Sequence, residues 1–282
     1  IVADSSANLL SLPDIDFGVV PLHIIVGEND YIDDDKIDLT AMQENLSSYK
    51  GKTSTSSPSP HEWENAFGDA DVVFCITITS SLSGTYNSAV IAKDIYEHNH
   101  TGRKVYVLDS LSTGPEIALF IEKIAELIKA GFAPDDIYKT LLEYKDKTHL
   151  YFSLASLNNF AKNGRISPVI AAGIGLLGVR VVGKASDEGT LLPLDKCRGE
   201  KRALKKLIDH LKECGYTDGK IIIAHNNNEA GALELKKLIE NTFGIFNGKI
   251  QKTRALCSYY AEPGSLLIGF EASLCNHKPY KD

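Results

Sequence analysis

The sequence predicts an α/β protein of two domains, and three patterns predict it. Short β-branched, apolar runs alternate with amphipathic stretches through the first half, which is the rhythm of a parallel sheet covered on both faces. Three strand ends, near Asp4, Thr79 and Asp109, carry Asp, Ser or Thr, and open α/β sheets bind ligands at the carboxyl ends of their strands. Near residue 150 the pattern changes to strands that pair through a short turn, Asp187-Glu188-Gly189. Residues 1–150 therefore read as a three-layer α/β/α domain with a mainly parallel sheet, and residues 151–282 as a two-layer α/β domain with a mixed sheet.

In the first half, Ile1-Val2-Ala3 is a short strand ending at Asp4-Ser5-Ser6, and Phe17 to Val26 is a second apolar run interrupted by Pro21. Leu39 to Tyr49 is helical. Ser59 followed by Pro60 marks a helix N-cap with proline at the first helical position, opening His61 to Phe67. Strand Val72 to Ile78 leads to a helix from Gly84 to Glu97, and strand Lys104 to Leu108 to a helix from Pro115 to Ala130 stopped by Gly131; Pro134 to Lys145 is a further helix. In the second half, His149 to Leu154 is a strand, Val179 to Lys184 pairs with Leu191 to Asp195, and Ala203, Leu204, Leu207, Ile208 and Leu211 mark one helical face. Lys220 to His225 is a strand, Glu229 to Thr242 a helix, Lys249 to Leu256 a strand, and Glu262-Pro263-Gly264 introduces a last strand, Ser265 to Phe270.

Composition narrows the function. With 282 residues, 43% hydrophobic and 24% charged, the chain has the make-up of a soluble globular protein. A net charge of -7 and a pI near 5.7 argue against nucleic acid as a partner. The longest apolar run, Ile170 to Val182, is broken by Gly173, Gly175, Gly178 and Arg180 and falls short of the roughly 18 residues a membrane helix needs. No signal peptide is visible, and the five scattered cysteines lack zinc spacing, so the expectation is a cytoplasmic protein with reduced thiols, no metal and no catalytic cysteine.

The richest local signal is a pair of hydroxyl-bearing tracts, read as turns: Thr53 to Pro60, and Thr79-Ser80-Ser81-Leu82-Ser83-Gly84-Thr85. Each precedes an amphipathic segment, and neither contains a cation. Neutral donors framing a helix N-terminus make an anion site that works by hydrogen bonds instead of charge. Taken alone, the first tract reads better as capping and turn chemistry than as a ligand site. Asp4 and Asp109 read as structural acceptors, His225 as a capping or cleft residue, and His23, Trp63 and Tyr86 as packing residues. A phosphate-binding glycine loop with its lysine is missing, and the Gly173 to Gly178 glycines precede a strand instead of following one.

The motifs also fall in an order. Ala3-Asp4-Ser5-Ser6, Val20-Pro21-Leu22 with Gly27, Tyr31 and Asp33, Thr55-Ser56-Ser57-Pro58-Ser59, Ser81 to Ala89, Asp109-Ser110 and Asn163-Gly164-Arg165-Ile166 together resemble the DegV family of bacterial fatty-acid-binding proteins, over residues 1 to about 270. The resemblance implies two α/β domains with one long-chain fatty acid, such as palmitate, buried between them. It implies a non-catalytic subunit that presents the carboxylate to a separate ATP-binding fatty acid kinase, whose acyl phosphate feeds phospholipid synthesis. It implies carboxylate contacts from Thr55, Ser56, Ser83, Gly84 and Tyr260, and kinase docking through Arg165, Arg198 and Arg202. It leaves room for transient peripheral contact with a membrane. No cofactor is implied beyond the fatty acid itself.

One departure stands out. Kinase-coupled members carry His-Thr-Gly-Pro-Gly where this chain has Tyr260-Ala261-Glu262-Pro263-Gly264. Tyr260 donates a hydrogen bond but cannot carry the positive charge of His, and Glu262 would repel an anion unless it points away. Two alternatives follow: a stand-alone fatty acid carrier, and a serine-dependent acyl hydrolase with Ser83 as nucleophile and His225 as base. Against the latter, Ser83 does not sit in a G-x-S-x-G elbow. The chemistry of a fatty acid fits neutral donors, because burying a sixteen-carbon tail at ~0.8 kcal/mol per methylene supplies on the order of 10 kcal/mol. The expected tunnel wall is Ile76, Ile78, Ile117, Phe120, Phe160, Ile170, Ile174 and Leu177.

Overall fold

The computed structural model describes residues 1–167 and 178–272. The first half runs β1 (Val2–Asp4), β2 (Gly18–Val20), β3 (His23–Val26), β4 (Asn29–Ile32), α1 (Leu39–Ser48), β5 (Thr53–Ser56), α2 (Pro60–Phe67), β6 (Val72–Thr77), α3 (Thr85–Asn99), β7 (Lys104–Asp109), α4 (Pro115–Lys129) and α5 (Pro134–Lys145). It continues with β8 (Thr148–Leu154), α6 (Asn158–Lys162), β9 (Val179–Ala185), β10 (Leu191–Arg198), α7 (Glu200–Glu213), β11 (Ile221–His225), α8 (Glu229–Phe243), β12 (Gly248–Lys252), α9 (Ala255–Ala261) and β13 (Leu266–Glu271).

The alternating first half folds as its pattern predicts. Strands β2, β1, β6 and β7 form a parallel sheet in that order, with Val2 opposite Cys75 and Cys75 opposite Val107. Side chains alternate across it. Val2, Val73 and Cys75 meet Trp63, Phe67, Ala89, Ala92 and Tyr96 of α2 and α3 on one face. Phe74, Ile76 and Leu108 meet Ile117, Phe120 and Ile121 of α4 on the other. The expected start of α2 is confirmed in detail: Ser59 and Glu62 form a reciprocal capping box, with Pro60 in the first turn.

The second sheet has the order β10-β9-β8-β13-β11-β12, antiparallel throughout except for β11 with β12. Its strands alternate too. Tyr151, Ile221, Ile223, Ile268 and Phe270 pack under α7 and α8, where Leu204, Leu207 and Leu211 form the predicted helical face. The other face meets α4. A methyl group at Gly269 would stand 2.5 Å from Glu116 N and 2.5 Å from the Pro115 carbonyl carbon, so the first turn of α4 lies directly on the β13 backbone. Helix α4 is thus wedged between two sheets. Ile117, Ala118, Leu119, Phe120, Ile121 and Ile124 are all 0% exposed, as a helix apolar on several sides requires.

A third, small sheet was not expected. Pro21 splits the run from Phe17 to Val26 into β2, which joins the parallel sheet, and β3, which pairs antiparallel with both β4 and β5. The tract from Thr53, read as a turn, is therefore a strand as far as Ser56. Its alternating β-branched Thr53 and Thr55 suit a pleated ladder, with Thr55 opposite Ile24. The expected strand from Lys249 to Leu256 is likewise corrected, because it stops at Lys252 and Ala255 opens α9. That helix has no side-chain cap of its own, which is why nothing local announced it.

Other expectations resolve at the level of single residues. His23 is not simply packed: its Nδ1 lies 2.9 Å from Asp30 and its Nε2 3.8 Å from Glu62. Trp63 is fully buried, and Tyr86 packs against the same cluster. Cys75, Cys197 and Cys257 are free and buried. Among the described residues no helix is long and apolar enough to cross a membrane. The glycine-rich stretch from Gly173, with Ile170, Ile174 and Leu177, falls outside the described residues.

Two stability predictions follow from the placement of α4. Gly269→Ala presses a methyl into immovable backbone and should cost about 1–3 kcal/mol in urea denaturation. Glu116, buried in the first turn of α4 and bonded by Thr148 Oγ1 at 2.8 Å, has its carboxyl pushed up to about 7 by desolvation. The folded state therefore holds a proton that the unfolded chain releases near ~4.3, so stability falls as pH rises from there to about 7. Glu116→Gln should remove this slope, at most ~1.4 kcal/mol per pH unit, in denaturation midpoints measured across that window.

Candidate functional site

The carboxyl ends of β6 and β7 lead into loops that face β8 of the second sheet, and a cavity of about 870 Å³, counting its open mouth, lies between them. Ile78 and Leu82 follow β6, and Leu111 follows β7; Leu150, Phe152 and Leu154 come from the face of β8 turned away from α7. The hairpin tip between β9 and β10 and one side of α9 complete the wall. A concave, mostly apolar lining with a few converging polar groups is typical of small-molecule sites.

Two carboxylates, the buried Asp4 and the half-buried Asp109, shape the loops at its floor. Asp4, at the end of β1, accepts from Ser6 N at 3.0 Å and from Ile78 N at 2.6 Å. Desolvation pushes its carboxyl up to about 6 in spite of these bonds. Asp109 Oδ1 accepts from Ser80 N at 3.1 Å and Leu111 N at 3.0 Å, tying together the two loops that follow β6 and β7. Both act as the structural acceptors expected of them. From the other side, Thr79 Oγ1 donates to the Gly189 carbonyl at 2.8 Å, and Ser81 Oγ donates to that of Glu188. Gly189 has φ +77°, and a methyl there would stand 2.2 Å from Thr79 Oγ1, so only glycine lets the hairpin tip sit this close.

One part of the wall is a run of hydroxyls. Thr55 Oγ1 and the Tyr260 hydroxyl are 2.8 Å apart, Ser57 and Ser83 Oγ 3.2 Å, and Ser83 Oγ and Thr85 Oγ1 2.7 Å. Thr55, Ser83 and Tyr260 therefore line one cavity although they span more than 200 positions of sequence. Ser56 does not join them. It ends β5 exposed, its Oγ directed to the Ser57 carbonyl, and the strand's alternation leaves Ser57 to line the cavity instead. Gly84 caps α3 beside Ser57 and is exposed; a methyl on it would come no closer than 3.6 Å to Ser57 Oγ. Burial raises the Tyr260 phenol above its ordinary value, although the Thr55 bond and the Arg165 charge pull the other way, so it stays a neutral donor near pH 7.

Arg165 is the one charged side chain among the described lining residues. It donates from Nε to the Leu82 carbonyl at 3.0 Å and from Nη1 to that of Asn163 at 2.5 Å. It is half-buried in the wall and not on an outer surface, whereas Arg198 and Arg202 are exposed and do not line the cavity. Of the expected wall residues, Ile78 and Phe160 line the cavity, while Ile76, Ile117 and Phe120 lie in the packed core. Sequence reading missed Leu150, Phe152 and Leu154; their every-other-residue spacing on β8 was the available signal. Glu262 points away: its Oε1 accepts from Ser156 Oγ at 2.9 Å and Asn159 N at 3.1 Å. His225 does not line the cavity, and its Nδ1 accepts from Asn228 N at 3.3 Å. Among the described residues no cluster of three or more His, Cys, Asp or Glu could hold a metal.

Fold and site together define an α/β protein of two large sheets and one small one, built around an apolar cavity with a hydroxyl-lined wall. The chain belongs to the DegV family, whose model, described as uncharacterised, matches residues 1–273. A DegV domain-containing protein of Streptococcus pneumoniae is 40% identical over 275 residues, covering 96% of this chain and 98% of that protein. Two crystal structures superpose with TM-scores of 0.94 at 40% identity. One is a DegV family protein from Eubacterium eligens loaded with heptadecanoic acid, matched over 96% of this chain and 99% of that one. The other is the Streptococcus pneumoniae Fatty Acid Kinase (Fak) B3 protein loaded with linoleic acid, matched over 96% and 98%.

Proposed function

We propose that this protein binds one long-chain fatty acid in the cavity, with the tail along Leu150, Phe152, Leu154 and Leu267 and the carboxylate at Thr55, Ser83 and Tyr260. The observation that carries this reading is the pairing of an apolar cavity with converging neutral hydroxyls. Tail burial dominates affinity, at ~0.8 kcal/mol per methylene, while each hydroxyl contributes about 1 kcal/mol and mainly sets position. Ser57 joins the carboxylate site, and the N-terminus of α3 after Gly84 supplies backbone donors and a favourable dipole. Residues 1–150 act as the domain that carries the head-group loops, and residues 151–282 as the one that closes over the tail.

Catalysis lies elsewhere in this reading. Ser83 exchanges hydrogen bonds with Ser57 and Thr85, and His225 is engaged with the Asn228 amide, so the hydrolase alternative lacks a base at its nucleophile. The protein instead presents the carboxylate to a cytoplasmic, ATP-binding fatty acid kinase for acyl phosphate formation. The likeness to the Fak B3 protein supports this. Arg198 and Arg202, exposed at the end of β10 and the start of α7, form the docking surface. The stand-alone carrier is the second reading, favoured by Tyr260 in place of an ionisable His.

Native mass spectrometry of the purified protein, followed by organic extraction, tests the central reading. A one-to-one mass excess matching a fatty acid is expected, and a protein that stays empty after incubation with saturated and unsaturated chains overturns it. Thr55→Val with Ser83→Ala should weaken retention about tenfold or more while the unfolding midpoint holds; unchanged occupancy removes these hydroxyls from the site. Arg198→Glu with Arg202→Glu should leave occupancy intact and lower acyl phosphate formation by the cognate kinase. Arg165→Glu is the poorer docking probe, because it also sets a carboxylate in the cavity wall.

A further inference from the structure

Helix α9 carries Tyr260 into the wall yet has only seven residues and no side-chain cap from its own N-cap residue, Arg254. A helix this short is marginal without outside support. That support arrives from 222 positions away. Ala255 N donates to Asp33 Oδ1 at 3.2 Å, and Leu256 N donates to Asp33 Oδ2 at 3.0 Å. Asp33 directly follows β4 and is 0% exposed, and its own backbone N–H is held by the Leu22 carbonyl at 2.9 Å. Arg254 Nε lies 3.3 Å from its carboxylate, and the Arg254 N–H donates to Asn8 Oδ1 at 2.7 Å.

The far end of α9 is gripped by the same small sheet. Thr53 Oγ1 on β5 pairs with the Tyr259 hydroxyl at 2.7 Å, and Thr55 Oγ1, two residues on, pairs with the Tyr260 hydroxyl at 2.8 Å. Between the two ends, Ala255 and Tyr259 pack on Ile24 of β3 and on Met42, all nearly or fully buried. The sheet β4-β3-β5 therefore holds α9 at its first turn and at its last. Sliding or tilting the helix moves the Tyr260 hydroxyl relative to Thr55, and nothing else on α9 reaches that hydroxyl cluster.

We propose that Asp33 is a positioning residue for the carboxylate site: by capping α9 from β4, it sets the Tyr260 hydroxyl against Thr55. Asp33 does not touch the ligand. It acts through Tyr260, and the small sheet is a rigid bracket between the two. The inference rests on the fatty-acid reading above and assigns Asp33 a role within it.

A double-mutant cycle tests it, with release of bound palmitate to excess albumin as the readout. Tyr260→Phe removes the hydroxyl, and release should quicken by about 10- to 100-fold if that bond meets an ionised carboxylate. Asp33→Asn replaces one of the two acceptors by a donor and should quicken release to a similar extent. If Asp33 works through Tyr260, the combined variant releases no faster than either single variant, within about twofold. Multiplying effects would mean that Asp33 is a general fold support and would overturn the proposal. Unchanged release in Tyr260→Phe would overturn it as well. Asn at position 33 leaves the Arg254 charge buried without its partner, so Asp33→Asn with Arg254→Met serves as a second background in the same cycle, its folding checked by denaturation midpoint. Failure of the wild-type protein to retain palmitate is the distinct result that defeats the fatty-acid reading itself.

Discussion

Everything in this molecule is organised around one helix whose first two turns have no free face. Helix α4 touches the parallel sheet through Ile117, Phe120 and Ile121 and the mixed sheet through its first turn on Gly269. Its six 0% exposed core residues can only be satisfied if both sheets are present at once. The two sheets cannot then separate without exposing that helix. Their facing ends are held a fixed distance apart, and the cavity is the space left between the strand-end loops and β8. The volume available to a ligand is therefore set by how α4 packs.

Four carboxylates, three of them buried and Asp109 half-buried, do the rest of the organising. Asp4, Asp33, Asp109 and Glu116 each receive backbone N–H groups or a hydroxyl across long stretches of sequence. For Asp4, Asp33 and Glu116, burial raises the carboxyl above its ordinary range, so these bonds offset the desolvation cost only in part. A structure keeps such groups where loop geometry matters more than the last increment of stability. Here three of them shape the loops and the helix that carry the hydroxyl wall.

Much of this was legible beforehand. Alternating strands and helices announced the parallel sheet, and the periodicity of α7 assigned its buried face correctly, because a 3.6-residue repeat is a local property. The Ser59 and Pro60 cap was legible for the same reason. The small sheet was not. The residues from Thr53 to Ser56 carry hydroxyls that suit a turn or a strand equally well, and only pairing with β3 decides between them. Helix α9 was mistaken for the continuation of a strand because its cap comes from Asp33 and not from its own flanks.

At the site, the sequence by itself determined the chemical class of the wall. Thr55, Ser83 and Tyr260 were recognisable as hydroxyl donors, with no cation in either tract, because residue type and local spacing carry that information. Only the tertiary structure decided which hydroxyls meet. It chose Ser57 over Ser56 through the pleat of β5, turned Glu262 away onto Ser156 and Asn159, and brought Arg165 into the wall beside Leu82. The reason is physical: a one-residue change of register reverses a strand's faces, and contacts across 100 or more positions depend on how α4 brings the two sheets together.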